Sequence, residues 1–216
     1  FDIRQWVLVT DWNPLTIWLF NEPYFRFPAT DYDPDNIADR FIHLTNNSVA
    51  KYAEGAKVSH EIDGNMMTLG EVKDWMQEEF GWEVWDDKLR EQSKNIVINC
   101  LESVQDMFEC KKGCFELFGF DLMVDEDFTM WLIEVNSSPA MDYSTAVTER
   151  LVKLVLEDTI KVVVDHDQAK KKSKVDTGLF ECIYKAKKIV DKPMQSFGLN
   201  LMCEGKKISQ NKLQHY

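Results

Sequence analysis

The first part of the chain contains short apolar runs of the kind that form β-strands, separated by polar residues. Residues 5–10 and 16–20 are rich in β-branched and aromatic side chains, and the turn-forming residues 11–14 separate them. This pattern predicts a β-hairpin, because Asn and Pro favour turns and apolar runs on both sides favour paired strands. Residues 24–27 form a third, shorter run of the same kind.

The next part of the chain is more polar, and its pattern is mixed. Pro34 between two Asp residues predicts the start of a short helix through Ala38. The apolar run at 41–44 predicts a short strand. Residues 45–48 and 53–65 are polar, and we expect loops there because their side chains compete with the backbone for hydrogen bonds.

Two helices are predicted in the middle of the chain. Thr68 and Glu71 have the spacing of a capping box, so a helix is expected over residues 69–80. Apolar residues then recur at steps of three and four over residues 88–109, which is typical of a longer helix. Gly113 follows two lysines and favours the end of that helix.

Two strands and a helix follow. The runs 115–124 and 128–135 are predicted to pair as a hairpin around the acidic turn 125–127. The spacing of apolar residues predicts a further helix over 145–161.

The remaining sequence is rich in lysine and indicates a second, smaller part of the chain after the main domain. Residues 166–176 have the composition of a linker, and 179–184 and 197–203 could be short strands. We therefore expect a main domain over residues 1–165, followed by a Lys-rich linker and a small terminal β element over residues 166–216. The predicted elements together define an α+β fold, with an antiparallel sheet and flanking helices.

Charge and composition exclude several classes of protein. The net charge is −12, but residues 161–216 carry +6 and residues 1–160 carry −18. Nucleic acid is an unfavourable partner for a segment as acidic as residues 1–160. The basic residues after 160 could bind an acidic partner or form a solvated surface. No apolar run reaches the roughly 18 residues that cross a bilayer, and phosphate-binding glycine motifs are missing.

The five cysteines are an odd number without a CxxC pair, so neither a disulfide framework nor a zinc site is expected. Free thiols in a reducing compartment fit this pattern. The chain begins without Met or a signal-peptide pattern, and we expect an excerpt of a longer protein.

The second hairpin carries the clearest chemistry. Side chains alternate along a strand, so Glu134 and Asn136 share a face, and Asp121 can join them from the neighbouring strand. Two carboxylates and an amide offer the oxygen ligands that suit Mg²⁺. The alternative is that these acids lie on a solvated sheet face.

Cations and polar loop residues add to this candidate site. Arg4 and Arg26 lie on strand-like segments and could hold phosphate or carboxylate bidentately, or form ion pairs with nearby acids. Thr45 and Asn46 could contact a nucleotide, or act in a turn or cap. His43 is expected to have a packing or supporting role, and the aromatic residues between 75 and 85 are expected to pack.

Four segments together resemble the tubulin–tyrosine-ligase-like family, whose fold is the ATP-grasp. They are Phe1-Asp-Ile-Arg4, His43-Leu-Thr-Asn46, Phe118-Gly-Phe-Asp121 and Trp131-Leu-Ile-Glu-Val-Asn-Ser-Ser-Pro139. Residues 115–119, 141–150 and 176–185 are similar to the subgroup of glycine ligases that start glycine side chains on tubulin in cilia. The resemblance implies the C-terminal half of the catalytic domain, without the phosphate-binding Lys and adenine hinge of the first half.

The resemblance implies roles for ten residues by position. Asp121, Glu134 and Asn136 match magnesium ligands; Asp2, Thr45 and Asn46 match nucleotide contacts; Arg4 and Arg26 match catalytic cations; Asn47 and Lys51 match the amino-acid pocket. In this chain Ala50 stands where the family often has a Gln.

The implied activity is an ATP- and Mg²⁺-dependent ligation of free glycine to a glutamate side chain of the tubulin tail, through an acyl phosphate. The implied location is the cytoplasm, the cytoskeleton and the axoneme of cilia, with no nucleic-acid or membrane partner. Two alternatives remain open. One is a glutamate or tyrosine ligase of the same family, and the other is a non-catalytic microtubule-binding module. For attraction to acidic tubulin tails, the sequence offers a set of lysines: Lys170, Lys171, Lys172, Lys174, Lys185, Lys187 and Lys188.

Overall fold

A single antiparallel sheet with helices on both faces organises the chain. The computed structural model describes residues 1–30, 32–46, 49, 52–53, 65–108, 111–169, 171 and 175–190. Within these residues the sheet has seven strands, and every strand pair is antiparallel. The strands are β1 (Asp2–Trp12), β2 (Leu15–Phe20), β3 (Tyr24–Arg26), β4 (Met66–Thr68), β5 (Glu116–Val124), β6 (Met130–Asn136) and β7 (Phe180–Lys185).

Strand β1 is the centre of the sheet. β5 pairs with β1 along Asp2–Val9, whereas β3 and β2 divide the other edge of β1 between them. β3 pairs with the first residues of β1, and β2 pairs with residues from Val7 onward. The start of β1 therefore lies between β3 and β5, which brings three distant parts of the sequence side by side.

The sheet separates two layers of the core, and helices pack on both of its faces. The helices are α1 (Arg40–His43), α2 (Leu69–Phe80), α3 (Arg90–Val104) and α4 (Ala146–Ile160), with π-helical turns at Trp85–Leu89 and Lys161–His166 and a 3₁₀ turn at Gln105–Met107. α2 and α3 pack on the sheet face that carries Ile3, Val7 and Phe120. α4 packs on the opposite face, against Trp6 and Leu8. Alternation along β1 thus serves two cores.

The α+β fold with an antiparallel sheet and flanking helices is confirmed, and so are most of its elements. Both predicted hairpins are present, and the first one turns through the cis peptide bond Asn13–Pro14. The capping box at Thr68 is also present, because its hydroxyl accepts from the backbone of Glu71 and the Glu71 carboxylate accepts from the backbone of Thr68. The helix predicted over 145–161 is observed as α4.

Two local predictions are wrong. Residues 41–44 do not form a strand, since Asp39 caps the short helix α1 by accepting from Phe41 N at 2.9 Å. The helix expected from Pro34 through Ala38 is replaced by two turns. Short apolar runs fit a helix as well as a strand, and an Asp just before the run favours the helix through its side chain.

The helix predicted over 88–109 is shorter and less regular than expected. It begins with the π-helical turn at Trp85, continues as α3, and ends in the 3₁₀ turn at Met107. Gly113 then adopts a φ of +75° beyond the helix. The described helices all fall short of the length and apolarity that a bilayer-crossing helix needs. Cys100, Cys114 and Cys182 are free thiols. Cys100 is half-buried, and the other two are exposed.

Strand β7 joins the sheet by pairing with β2, so the strand expected at 179–184 belongs to the main sheet. The second strand expected at 197–203 lies outside the described residues, and the domain boundary at residue 165 stays a prediction. The turn before β7 docks on α4, where the buried Asp158 accepts from Leu179 N at 2.8 Å and from Lys161 Nζ at 2.7 Å.

Substitution of Gly178 by Ala should lower the free energy of unfolding by about 2–3 kcal/mol, since a strained backbone costs about 1–3 kcal/mol and a clash adds to it. Gly178 has a φ of +61°, and a Cβ there would lie 1.9–2.2 Å from the carboxylate atoms of Asp158. Gly81→Ala is the matched control, because Gly81 has a φ of +73° and open space around its Cβ position. Urea denaturation should show the larger loss for Gly178→Ala, and equal losses would contradict the docking role of Asp158.

Candidate functional site

A row of charged residues crosses the sheet where the start of β1 meets β5 and β6. Arg4 lies directly opposite Asp121, and Asp121 lies directly opposite Glu134. Directly paired residues of neighbouring strands project from the same face. Two residues before Arg4, and on the same face, Asp2 lies opposite Arg26 of β3. The two hairpins thereby bring together side chains that are far apart in the sequence.

The buried part of this row is a closed network of ion pairs. Arg4 Nε donates to Asp121 Oδ1 at 2.6 Å, and Arg4 Nη2 donates to Oδ2 at 3.1 Å. Arg26 binds Asp2 in the same bidentate way, at 2.7 and 2.6 Å. Arg26 Nη2 also lies 3.2 Å from Asp121 Oδ2, which joins the two pairs. Two arginines and two aspartates therefore balance their charges in one cluster.

Burial makes this cluster sensitive to the loss of any member. The side chains of Asp2, Arg4, Arg26 and Asp121 are each 7–8% exposed. Burial alone would raise the pKa of Asp121, but the hydrogen bond from Arg4 and the charges of both arginines outweigh it and lower the pKa. For Arg26, burial opposes the charged form, yet the hydrogen bond and charge of Asp2 raise its pKa overall.

Hydrogen bonds of Thr45 and Asn65 connect the chain after α1 to this cluster. Thr45 Oγ1 donates to Asp2 Oδ2 at 2.8 Å, and Thr45 is buried. Asn65 Nδ2 donates to the carbonyl oxygens of Thr45 at 2.9 Å and of Phe27 at 2.8 Å. Asn65 has a φ of +58°, a conformation that Asn tolerates better than most residues. The position of Thr45 is thus determined by a side chain twenty residues further along the chain.

Glu134 and Asn136 form the open side of the row. Glu134 is exposed and Asn136 is half-buried. Asn136 Nδ2 donates to Glu134 Oε1 at 3.2 Å, which leaves the amide oxygen of Asn136 and the second carboxylate oxygen of Glu134 for other partners. The described residues hold no group of three His, Cys, Asp or Glu side chains suited to a metal ion.

The oxygen set of Asp121, Glu134 and Asn136 fits a hard divalent ion. A carboxylate offers about four lone-pair positions, so the two oxygens of Asp121 can accept more than the contacts from the arginines. The amide of Asn136 contributes a neutral oxygen beside the exposed carboxylate of Glu134. Oxygen-only sets of this kind, completed by water or phosphate oxygens, are typical of Mg²⁺.

A cavity of about 660 Å³ opens beside the cluster. Thr45 and Met123 connect it to the charged row, because Met123 is the β5 partner of Asp2. Its other walls are mostly aromatic and include Trp75, Phe80 and Phe128. Trp75 and Phe80 contact each other edge to face at 5.8 Å, as the packing expected for this aromatic segment requires.

The structure brings together six of the residues that the sequence singles out: Asp2, Arg4, Arg26, Thr45, Asp121 and Glu134. Asn136 adjoins Glu134, and Asn46 follows Thr45 but is exposed. Asn47 and Lys51 lie outside the described residues. For Arg4 and Arg26, the ion-pair alternative describes this structure. The alternative of a solvated sheet face describes Glu134 but not Asp121.

His43 has a structural contact, in line with the supporting role expected for it. Its Nε2 lies 2.9 Å from the carbonyl oxygen of Asn36, and its ring meets Tyr32 edge to face at 5.7 Å. These contacts tie the end of α1 to the turns before it.

Two residues of the site carried no predicted role. Asn65 gives no sequence signal, because its role depends on carbonyl groups brought close by the fold. Gly119 does give one, since a glycine inside an apolar strand often marks a close approach of another group. A Cβ on Gly119 would lie 3.2 Å from Arg4 Cδ and 2.8 Å from Pro139 Cβ.

The family follows from comparison with known proteins. Residues 1–172 match the model of the tubulin-tyrosine ligase family, and the chain belongs to that family, whose fold is ATP-grasp-like. The resemblance noted from the four sequence segments is confirmed.

Three relatives describe the similarity within the family. The chain is 45% identical to tubulin glycylase 3C of Tetrahymena thermophila over 98% of its length and 20% of that protein. It is 41% identical to human tubulin monoglycylase TTLL3, over 95% of its length and 26% of that protein. It is 39% identical to mouse protein monoglycylase TTLL8, over 99% of its length and 25% of that protein. The chain thus spans about a fifth to a quarter of the length of these relatives.

Proposed function

We propose that the full-length protein is an ATP-dependent tubulin–glycine ligase that starts glycine chains on glutamate side chains of the tubulin tail. The observation that carries this proposal is the row of Arg4, Asp121 and Glu134, found in a chain whose relatives are named glycylases. The sheet supplies anion-binding and cation-binding groups side by side, which is what phosphoryl transfer requires.

Asp121, Glu134 and Asn136 would hold Mg²⁺ in this enzyme. A bound Mg²⁺ supplies charge neutralisation on phosphate oxygens and orients them for in-line transfer. The exposed carboxylate of Glu134 is the most accessible member of this set. Asp121 would be held in place by Arg4 and Arg26, which already fix both of its oxygens.

Arg4 and Arg26 would act as the catalytic cations. Their guanidinium groups are fixed by bidentate pairing before any substrate arrives. Such preorganised donors stabilise the negative charge that develops on the transferred phosphoryl group and on the substrate carboxylate. The glutamate carboxylate of the tail would be phosphorylated by ATP, and the amine of free glycine would then displace phosphate to form an isopeptide bond.

Asp2, Thr45 and Asn46 would form the nucleotide side of the site. In this structure Asp2 uses its carboxylate for Arg26 and Thr45, so its effect on ATP would come through the ordered Thr45–Asn46 segment. The aromatic cavity beside Thr45 and Met123 offers apolar walls for the nucleoside. Asn47 and Lys51 would line the amino-acid pocket.

The acidic tubulin tail would be the protein partner, and the cytoskeleton, including the axoneme of cilia, the place of action. Among the described lysines of the proposed attractive set, Lys171, Lys185, Lys187 and Lys188 are exposed. The proposal includes no nucleic-acid and no membrane partner. A glutamate or tyrosine ligase and a non-catalytic microtubule-binding module are the competing functions, and the names of the relatives favour glycine ligation.

A competition assay tests the proposed function. Full-length protein, Mg-ATP and microtubules are incubated with labelled glycine, glutamate or tyrosine, each also in the presence of the other two unlabelled. Incorporation of glycine should exceed that of either rival at least tenfold, in line with the 10- to 200-fold discrimination that small differences in a side chain allow. Preferred incorporation of glutamate or tyrosine would replace glycine in the proposal, and microtubule binding without any incorporation would favour the non-catalytic module.

A further inference from the structure

We infer that Gly119 is a positioning residue whose missing side chain allows Arg4 to lie across β5 and reach Asp121. The inference rests on the proposed function, because it concerns the placement of a cation in the same site. It adds a residue that touches none of the reacting groups and acts through Arg4.

The space above Gly119 is already filled by two other residues. A Cβ there would lie 3.2 Å from Arg4 Cδ, 3.3 Å from Arg4 Nε and 2.8 Å from Pro139 Cβ. Carbon atoms in ordinary contact are about 3.5–4.0 Å apart. The side chain of Arg4 therefore passes directly over Gly119, and Pro139 closes the space from the other side.

The atom of Arg4 that would be pushed is also the atom that binds Asp121. Arg4 Nε donates to Asp121 Oδ1 at 2.6 Å. Because Asp121 is held from its other side by Arg26 Nη2 at 3.2 Å, it cannot follow Arg4 without weakening that contact. A methyl group at position 119 would thus change the distance between the proposed catalytic cation and the proposed metal ligand.

Pro139 extends this effect to the loop after β6. Gly119 lies directly opposite Asn136, and its carbonyl oxygen lies 3.5 Å from Asn136 Nδ2. Pro139 follows Asn136 by three residues. A side chain at position 119 would therefore press at the same time on Arg4 and on the loop that follows Asn136.

Glycine is otherwise an unfavourable choice for this position. Gly weakens the interior of a strand, because it has the largest conformational entropy to lose and no side chain to pack. Gly119 pairs with Trp6 on one side and Asn136 on the other, in the middle of the sheet. Its backbone does not require a positive φ, so packing of Arg4 and Pro139 is the physical reason for a glycine here.

Enzyme kinetics of the full-length protein provide the first test. Gly119→Ala should lower kcat for glycine transfer by about three- to tenfold, since Arg4 must shift by a few tenths of an ångström and a displacement of about 1 Å in a preorganised site can cost about 100-fold. The KM for glycine should change little, because a lost transition-state contact acts on kcat. Gly70→Ala is the matched control with an unchanged kcat, because its Cβ would meet only Thr68 Oγ1 at 4.0 Å.

Rescue by a second substitution separates positioning from general damage to the sheet. Pro139→Gly removes the atom closest to the added methyl group, so Gly119→Ala combined with Pro139→Gly should lose less kcat than the product of the two single losses. Losses that multiply, or a Gly119→Ala protein with the kcat of the wild type, would overturn the inference. A kcat loss that matches the unfolded fraction in the melting curve would overturn it too.

Nuclear magnetic resonance of the 216-residue chain tests the geometry without relying on activity. The chain contains five arginines, so the ε-NH signals of ¹⁵N-arginine can be assigned with Arg4→Lys. The Arg4 signal should exchange slowly with water in the wild type and in Gly70→Ala, and about tenfold faster or more in Gly119→Ala, because the buried hydrogen bond opens. An Arg4 signal that is unchanged by Gly119→Ala would overturn the inference. If the full-length protein transfers no glycine while this signal behaves as expected, the proposed function fails and the positioning role of Gly119 stands.

Discussion

The full-length protein with Glu134 replaced by Gln should transfer glycine to tubulin at least 100-fold more slowly than the wild type, and it should remain folded. Removal of one preorganised group that stabilises a developing charge typically costs about 10²- to 10³-fold in kcat. Glu134 is exposed, and its side chain accepts a hydrogen bond of 3.2 Å from Asn136. The substitution therefore removes a proposed metal ligand and leaves the buried network unchanged.

The rate is measured as transfer of labelled glycine to purified microtubules, and a melting curve of each protein shows whether it is folded. Glu116→Gln is the matched control, since Glu116 is an exposed glutamate at the start of β5, outside the charged row. The control should keep full activity. Full activity of the Glu134→Gln protein would remove Glu134 from the metal site and would leave the row across the sheet without its proposed function.

Replacing Asp121, the partner of Glu134 across the strands, should have the opposite consequence for stability. We expect Asp121→Asn to lower the free energy of unfolding of the chain by about 3–5 kcal/mol, which is the usual cost of removing one member of a buried ion pair. Arg4 donates to Asp121, and Arg26 forms an ion pair with it at 3.2 Å, in a cluster that is almost closed to water. Without this carboxylate, two buried guanidinium groups share the single charge of Asp2.

Urea denaturation measures this effect, and a second substitution tests its cause. Arg4→Leu added to Asp121→Asn should recover part of the lost stability, because it removes the cation that was left without a partner. Glu134→Gln should cost less than about 1 kcal/mol in the same assay, as expected for an exposed group. A loss below about 1 kcal/mol for Asp121→Asn would show that the cluster does not depend on this carboxylate.

The pH dependence of the same experiment has a definite sign. The arginines hold the pKa of Asp121 below its ordinary value of 3.8, against the effect of burial. A carboxyl group whose pKa is lower in the folded state stabilises the protein above its unfolded pKa, and this contribution is lost as the pH falls through the folded pKa. The difference between the wild type and Asp121→Asn should therefore be largest near neutral pH and should shrink below pH 3.8.

The sequence was most informative where neighbouring residues determine the structure. The capping box at Thr68 depends on a residue three positions away, and it forms as predicted. Asp121 and Glu134 are partners in the observed register, but a register shift between Asp121 and Leu122 makes them so. Regular alternation from the turn would pair Asp121 with Ile133, so the hairpin was predictable from the sequence and this pairing within it was not. Residues 41–44 were wrongly predicted as a strand, because the cap at Asp39 decides between two structures that fit the same apolar run.

Contacts between distant residues could not be predicted in the same way. Arg4 and Asp121 are 117 positions apart, and nothing in either segment indicates that the arginine binds this carboxylate rather than another acid. The division of one edge of β1 between β2 and β3 also depends on the complete sheet. The sequence therefore named the charged residues of the site but did not show which of them neutralise one another.

Asn65 has a consequence for how this protein can vary over evolution. The two ends of the segment from Phe27 to Asn65 are hydrogen-bonded to each other. Phe27 N donates to Asn65 O at 2.9 Å, and Asn65 Nδ2 donates to Phe27 O at 2.8 Å. Lengthening a flexible loop adds little entropy cost once its two ends are joined. A change of length inside this segment should therefore leave Arg26 and the charged row of the sheet in place.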